Sequence, residues 1–196
     1  AGRICGLVGM NGSGKSTLTT FAAYHVAKNE EVPVGFLSFE THPYRTRDHL
    51  CRLECGKPWA DLSERQQSEV AANLDRYFRI VHRTYEAKNH NLGWLKEMIY
   101  TLAVRDGCKL IIVDPWNELE HLPEPGENMT SYINFATKFL RQMAERFDVH
   151  IALVAHPRKM PTDGKPRAPN GYDIADSAAF FNKPSLGVTV HKNRYT

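Results

Sequence analysis

Apolar positions along this chain fall into six short runs, and the longer segments between the runs carry apolar residues at helical spacing. The runs are rich in β-branched residues and mostly apolar at successive positions, a pattern typical of strands that are buried on both faces. They cover residues 4–8, 33–39, 78–82, 109–114, 150–156 and 186–191. The pattern therefore predicts six strands separated by helices.

The intervening segments predict five helices. In the first of them, apolar residues recur at helical spacing, at Leu18, Phe21, Ala22 and Val26. Asp61 or Ser63 is the expected N-cap of the third helix, because a short side-chain oxygen can accept a hydrogen bond from the first turn. The predicted helices cover residues 15–29, 43–55, 62–76, 91–106 and 130–147.

The alternation of strands and helices determines the expected architecture. Helices between successive strands favour parallel strands joined by right-handed crossovers. We therefore expect an α/β fold, in which a mostly parallel central sheet has helices on both faces. No internal repeat or domain boundary interrupts the pattern, so residues 1–196 are predicted to form one domain. Because the sequence opens at the edge of a strand, we expect it to be a piece of a longer chain.

Composition and charge narrow the class of protein only slightly. Hydrophobic residues make up 42% of the chain and charged residues 24%, which is a normal globular balance. The 25 lysines and arginines exceed the 22 aspartates and glutamates by three, which permits a nucleic-acid partner but does not require one. No apolar run approaches the ~18 residues of a membrane span and no secretory leader opens the sequence, so we expect no membrane contact.

The cysteines raise one question about metal binding. Cys5 and Cys108 lie in or beside predicted strands, whereas Cys51 and Cys55 would share one face of a helix close to His49. That face would hold zinc or carry ordinary buried or surface thiols. The sequence has no second Cys/His pair at ligand spacing, which favours ordinary thiols. The cysteine pattern does not suggest disulfides, and this is typical of a reducing compartment.

The sequence GMNGSGKST at residues 9–17 follows the first predicted strand and fits the pattern G-x-x-x-x-G-K-[ST]. Glycines allow a sharp turn that exposes backbone N–H groups, and these groups cradle phosphates together with the start of the next helix. Lys15 would reach the β- and γ-phosphates of a nucleotide, and Ser16 would bind Mg²⁺. The predicted nucleotide-binding residues are Gly9, Asn11, Gly12, Ser13, Gly14, Lys15, Ser16 and Thr17.

An acidic residue that could organise this metal ends the fourth predicted strand. In a parallel sheet, the carboxyl end of the strand at 109–114 faces the same edge as the phosphate loop. Asp114 would therefore hold Mg²⁺, through water. The alternative is a strand-end aspartate that caps the following turn, and the nearby phosphate loop favours the metal-binding role.

Hydrolysis also needs a group that orients and deprotonates water. Pro115 follows Asp114, so the adjacent position is not acidic, whereas Glu40 follows the second predicted strand at the expected catalytic edge. Glu40 is therefore the better candidate for the general base. The alternative is an N-cap-type acid before the helix that starts at residue 43.

The fifth predicted strand ends at His156, and a long irregular segment follows it at 157–172. A histidine at this edge could donate a hydrogen bond to the γ-phosphate and report its loss, although a lone histidine is usually structural. A loop of this length in a compact domain is usually functional or disordered. Its basic residues would contact nucleic-acid phosphates or remain solvated: Arg158, Lys159, Lys165 and Arg167.

Several motifs together resemble those of RecA-type hexameric replicative helicases of the DnaB superfamily, most closely phage primase-helicases and Twinkle. Four of them occur in the family's order: GMNGSGKS at 9–16, FLSFE at 36–40, LIIVD at 110–114 and ALVAH at 152–156. Two further stretches are similar to the phage branch, DPWNELEH at 114–121 and YDIADSAAFFN at 172–182.

The resemblance implies a RecA-like P-loop NTPase fold and assigns roles to individual residues. It makes Glu40 the catalytic glutamate and His156 the γ-phosphate sensor. The family's DNA-binding loops, which line a central channel, match residues 157–172. The closing stretch HKNRYT resembles the family's K-x-R-[FY] element, so Lys192 and Arg194 would enter the ATP site of a neighbouring subunit. Fewer residues than is usual in the family separate this element from the preceding motif.

The sequence thus predicts the motor domain of a DNA helicase, in which Mg-ATP hydrolysis between the subunits of a ring, expected to be a hexamer, drives movement on single-stranded DNA. ATP and Mg²⁺ are the expected cofactors, and a primase or polymerase is a further expected partner. The expected location is the cytoplasm of a bacterial or phage-infected cell, ahead of the mitochondrial matrix. One alternative is a RecA-like assembly module that binds ATP and DNA without unwinding. Another is a P-loop small-molecule kinase, against which the Glu-ending and His-ending strands argue.

Overall fold

A computed structural model describes residues 2–82, 90–158, 167–174 and 184–192 of the chain. Its centre is a six-stranded sheet in the order β3-β2-β4-β5-β1-β6, and all strand pairings within this sheet are parallel. The predicted α/β fold and all six predicted strands are confirmed. The strands are β1 (Ile4–Gly9), β2 (Val34–Ser38), β3 (Phe78–His82), β4 (Leu110–Asp114), β5 (His150–Ala155) and β6 (Leu186–Val190).

The five predicted helices are also present. They are α1 (Lys15–Asn29), α2 (Pro43–Cys55), α3 (Glu64–Tyr77), α4 (Leu92–Tyr100) and α5 (Met129–Phe147). A π-helical segment, Thr101–Arg105, continues α4 to the end of the predicted range. Ser63 is the N-cap of α3 and forms a capping box with Gln66, whereas Asp61 ends a short 3₁₀ helix.

The sheet is buried on both faces, as its continuous apolar runs require. On β4, Ile112 packs in a cluster with side chains of α1, α2 and α3. Its neighbours Ile111 and Val113 pack in a second cluster with side chains of α4 and α5. Successive residues of one strand therefore belong to opposite cores, and the prediction of helices on both faces is confirmed.

The buried side of α1 differs from what its apolar residues suggested. Leu18 is 41% exposed and Phe21 is 48% exposed, whereas the buried side is formed by Thr19, Thr20, Ala23 and Ala27. Small residues allow a helix to approach a sheet closely, and the Thr19 hydroxyl is satisfied because it donates to the Lys15 carbonyl at 3.1 Å. Helical spacing therefore predicted the element but not its orientation.

The register of the sheet brings the functional segments to one edge. Ser38 of β2 is opposite Asp114 of β4, Val8 of β1 is opposite Ala155 of β5, and Gly9 is opposite Val190. The residues that follow these strand ends therefore emerge beside one another. In the described part of the chain, no helix combines the length and the apolar character needed to cross a membrane.

Candidate nucleotide-binding site

The phosphate loop turns between β1 and α1 on glycines that adopt left-handed backbone conformations. Gly12 has φ 73° and Gly14 has φ 97°, values that residues with a Cβ rarely adopt. Gly14 is the N-cap of α1, and no side chain caps this helix. The start of α1 therefore presents backbone N–H groups at the edge of the sheet, which is the arrangement that binds phosphate groups.

Gly9 shows how tightly this loop packs. A Cβ atom at Gly9 would lie 2.5 Å from the carbonyl oxygen of Val190 and 2.6 Å from the Ser13 Oγ. The Ser13 hydroxyl could rotate away, but the Val190 carbonyl belongs to the backbone of β6, so a side chain at Gly9 would require the backbone to move. The first glycine of the motif is therefore required for packing against β6.

The Lys15 side chain folds back onto the loop. Its Nζ donates to the carbonyl oxygens of Gly9 at 2.7 Å and Met10 at 3.1 Å, and the residue is only 5% exposed. Burial lowers the pKa of Lys15, while the negative charges of Asp114 and Glu40 raise it. An ammonium held by neutral carbonyls can exchange them for phosphate oxygens, which attract it more strongly.

Asp114 and Ser16 supply the oxygen atoms predicted to bind metal. Asp114 lies buried at the end of β4 and accepts a hydrogen bond from the Ser16 side chain. Burial raises the pKa of Asp114, the Ser16 hydrogen bond and the Lys15 charge lower it, and Glu40 raises it. A hydroxyl and a carboxylate that already touch are hard oxygen donors, the kind that Mg²⁺ prefers. The residues present therefore fit a Mg²⁺ that is completed by phosphate oxygens and water.

Glu40 and His156 form a direct pair. The His156 Nε2 donates to the Glu40 Oε2 at 3.0 Å, and the Glu40 side chain is 59% exposed. Because the Glu40 charge affects the pKa of both Lys15 and Asp114, its carboxylate belongs to the same cluster. It is accessible to water and close to the phosphate loop, as a general base must be.

His156 is held by a residue that the sequence analysis did not single out. The Asn117 Oδ1 accepts from the His156 backbone N–H at 2.7 Å, and its Nδ2 donates to the His156 carbonyl at 3.4 Å. Asn117 lies on a short 3₁₀ helix, Trp116–Glu118, whose buried Trp116 anchors it. The motif at 114–121 drew attention to this segment, but residue types alone give no indication of a bond across 39 positions.

The predicted basic loop is described only in part. Arg158 is exposed, and its backbone N–H donates to the Asp173 carbonyl at 2.7 Å. The Arg167 guanidinium contacts both carboxylate oxygens of Asp173, at 2.6 Å and 2.7 Å. This pairing holds the pKa of Asp173 below its usual range. The Arg167 charge is therefore largely neutralised, and Lys159 and Lys165 lie outside the described residues.

The closing stretch of the chain, which is predicted to enter the ATP site of a neighbouring subunit, also lies only partly within the described residues. Lys192 is exposed and lies two residues after β6, at the edge of the sheet that carries the phosphate loop. Arg194 lies outside the described residues. The role of both side chains in a neighbouring site stays a prediction.

The zinc alternative at Cys51 and Cys55 gains no support from the geometry. Among the described residues, no group of three or more His, Cys, Asp or Glu side chains could hold a metal ion. Both cysteines are free thiols, Cys51 buried and Cys55 exposed.

Comparisons with known proteins identify the family and the fold of the chain. A family model described as an AAA domain matches residues 1–161. The Twinkle homolog protein, chloroplastic/mitochondrial, of Arabidopsis thaliana is 34% identical over 105 residues. That match covers 53% of this chain and 14% of the relative, so the chain spans a small part of the relative's length.

Two solved structures share the fold. The ATPase domain of a phage protein superposes with a TM-score of 0.70 at 12% identity, covering 94% of this chain and 68% of that one. A DnaB-like replicative helicase, solved to study its interactions with primase, gives a TM-score of 0.65 at 12% identity, covering 95% and 46%. The chain therefore belongs to the AAA domain family, and the resemblance to DnaB-type helicase domains that its motifs predicted is confirmed.

Proposed function

We propose that this chain is the ATP-hydrolysing motor domain of a replicative DNA helicase. One observation carries the proposal: four ionisable side chains of three chemical kinds, from separate segments, share one edge of the sheet. They are the ammonium of Lys15, the carboxylates of Asp114 and Glu40, and the imidazole of His156. A plain glycine turn needs none of the other three groups. Together they supply phosphate binding, metal binding, a base and a hydrogen-bond donor, which are the parts that nucleoside triphosphate hydrolysis requires.

Binding of Mg-ATP would begin at the phosphate loop. The Lys15 ammonium would leave the carbonyls of Gly9 and Met10 and pair with the β- and γ-phosphates. The N–H groups at the start of α1 would bind the same phosphates. Mg²⁺ would be held by the Ser16 hydroxyl and by Asp114, and when bound it neutralises part of the phosphate charge.

Hydrolysis would use the pair formed by Glu40 and His156. A γ-phosphate oxygen is a charged acceptor that would compete with Glu40 for the Nε2–H of His156, and this nitrogen lies 3.0 Å from the Glu40 carboxylate. Glu40 would then accept a proton from the attacking water. After phosphate release, His156 would return to Glu40. The domain would therefore have two states, one with His156 bonded to the γ-phosphate and one with His156 bonded to Glu40.

Single-stranded DNA would bind the segment that follows His156. Arg158 is two residues away from the sensor, so a shift of His156 is transmitted directly to the start of the basic loop. Arg158, Lys159 and Lys165 would contact backbone phosphates. Arg167 would keep the far end of the loop in place through Asp173, with a smaller part in DNA binding.

A ring, expected to be a hexamer, would complete the site. Lys192 and Arg194 of one subunit would enter the neighbouring ATP site, where a cation supplied from outside neutralises charge in the transition state. The name of one structural neighbour mentions primase, and a primase or polymerase remains a proposed partner of the whole protein. The cytoplasm remains the proposed location, although the name of the Arabidopsis relative places that protein in chloroplasts or mitochondria.

ATP turnover with and without single-stranded DNA tests this proposal. We expect DNA to raise turnover, Lys15→Ala to abolish it, and Lys96→Ala, which changes an exposed lysine on α4 away from the site, to leave it unchanged. Phosphate transfer to a small metabolite without any effect of DNA would indicate a kinase instead. DNA-stimulated turnover without strand displacement by the full-length protein would indicate an assembly module.

A further inference from the structure

Cys51 and Cys55 lie on the last turn of α2 with their sulfur atoms in contact. The two Sγ atoms are 3.7 Å apart. The Cys51 thiol donates to the Lys57 carbonyl at 3.4 Å, and the Cys55 thiol donates to the Cys51 carbonyl at 3.2 Å. Side chains at positions i and i+4 of a helix are neighbours, so this contact follows from the sequence spacing and persists as long as the helix does.

The two thiols differ in accessibility. Cys55 is exposed, whereas Cys51 is fully buried. Burial, together with the neighbouring Cys55, raises the pKa of the Cys51 thiol, which keeps it protonated and slow to react with oxidants from solvent. An exposed thiol that reacts first, next to a sheltered thiol that can reach it, is the arrangement found where a cysteine is oxidised reversibly.

We propose that Cys51 and Cys55 form a reversible oxidation site, in which hydrogen peroxide converts the two thiols into a disulfide. The Cys55 sulfur attacks one peroxide oxygen, the O–O bond breaks, and Cys55 becomes a sulfenic acid with release of water. The Cys51 sulfur then attacks the Cys55 sulfur, so that the S–S bond forms and the S–OH bond breaks. The hydroxyl group leaves with the Cys51 proton as a second water.

The helix makes this disulfide easy to reduce again. Cβ atoms at i and i+4 of a helix lie about 5–6 Å apart, whereas a disulfide needs about 3.5–4.5 Å. Closing the bond therefore distorts the last turn of α2, in which the Gly56 N–H donates to the Arg52 carbonyl at 2.9 Å. A strained disulfide has a higher reduction potential and is labile rather than structural.

The distortion has a defined route to the phosphate-loop helix. Glu54 lies between the two cysteines, and its carboxylate accepts from the Tyr24 hydroxyl and the Lys28 ammonium of α1, both at 3.0 Å. Movement of the last turn of α2 would loosen these contacts between the two helices. Oxidation should therefore change the backbone conformation and the amide exchange of residues 52–56.

Peptide mass mapping after treatment of the protein with hydrogen peroxide tests the site. We expect a disulfide linking Cys51 and Cys55, reversed by dithiothreitol, and faster amide exchange at 52–56 in the oxidised form. Cys51→Ser removes the second thiol, so Cys55 should accumulate as sulfinic acid at least ~10-fold faster than in the unchanged protein. Cys108→Ser, which alters a buried cysteine outside the pair, should leave disulfide formation unaffected.

Three results would overturn the proposal. The first is equal accumulation of sulfinic acid at Cys55 with and without Cys51. The second is a pair of thiols that both remain free to react with an alkylating reagent after peroxide treatment. The third is a stoichiometric metal ion that the purified protein loses when both cysteines are replaced by serine, because the pair would then be a metal site.

Discussion

The Nε2 atom of His156, which follows β5, lies 3.0 Å from the Oε2 atom of Glu40, which follows β2. Strand β4 separates these two strands in the sheet, and it ends at Asp114, which also belongs to the cluster. A proposed base and a proposed sensor are therefore joined directly, across the end of the strand that carries the proposed metal ligand. In the proposed mechanism, one event, binding of the γ-phosphate, would change the state of both side chains through this contact.

Replacing the sensor should separate nucleotide binding from DNA stimulation. His156→Ala keeps the phosphate loop intact, so we expect ATP affinity to change little while DNA-stimulated turnover falls, because the γ-phosphate is no longer linked to Arg158. Steady-state turnover over a range of DNA concentrations measures this effect. The matched control is His150→Ala, at the exposed opposite end of β5. Undiminished stimulation in His156→Ala would remove the proposed coupling.

Asn117 should act as a positioning residue for His156. Asn117→Leu removes both bonds to the His156 backbone, and we expect kcat to fall ~10–100-fold while KM for ATP stays nearly constant, because small displacements of a catalytic group are costly. Asn117→Asp keeps a side-chain oxygen that can accept from the His156 N–H, and this is the shorter of the two bonds. We therefore expect kcat of Asn117→Asp to lie between the values of Asn117→Leu and the unchanged protein. A parallel fall in stability and in kcat, with no recovery by aspartate, would indicate a purely structural role.

Gly9 should tolerate no side chain. In Gly9→Ala the added Cβ meets the Val190 carbonyl, so we expect a loss of about 1–3 kcal/mol in the free energy of unfolding, as for other overpacked sites. Nucleotide affinity should fall as well, because the loop must move. Gly187→Ala, also a glycine of the β1–β6 pair but with open space around it, is the control. Denaturant unfolding that shows equal stability for both variants would contradict the packing account.

The ion pair between Arg167 and Asp173 predicts a dependence of stability on pH. The Arg167 bond lowers the pKa of Asp173 in the folded state, so its stabilisation is present above the usual aspartate pKa of about 3.9 and is lost as the pH falls towards the lowered folded value. Melting temperatures of the unchanged protein and Arg167→Ala should therefore differ at neutral pH and converge below about pH 4. A difference that stays constant down to acidic pH would show that the charge pair is not its origin.

The strands could be predicted from the sequence because each is buried on both faces and therefore appears as a short, nearly continuous run of apolar residues. The positions of Lys15, Glu40, Asp114 and His156 at one edge also followed, since parallel strands end together. Contacts that depend on tertiary packing could not be predicted from the sequence. The orientation of α1, the Asn117 bonds to His156 and the Arg167 pair with Asp173 each depend on which surfaces meet after folding.

The role of Glu40 is tested most directly by single-turnover hydrolysis in Glu40→Gln, with nucleotide affinity measured on the same sample. The amide keeps the size of the side chain but cannot accept a proton from water. We predict unchanged Mg-ATP binding with hydrolysis slowed at least ~10²-fold, whereas Glu30→Gln, at the exposed end of α1, hydrolyses normally. Hydrolysis by Glu40→Gln at the unchanged rate would contradict the account of this site as a motor centre.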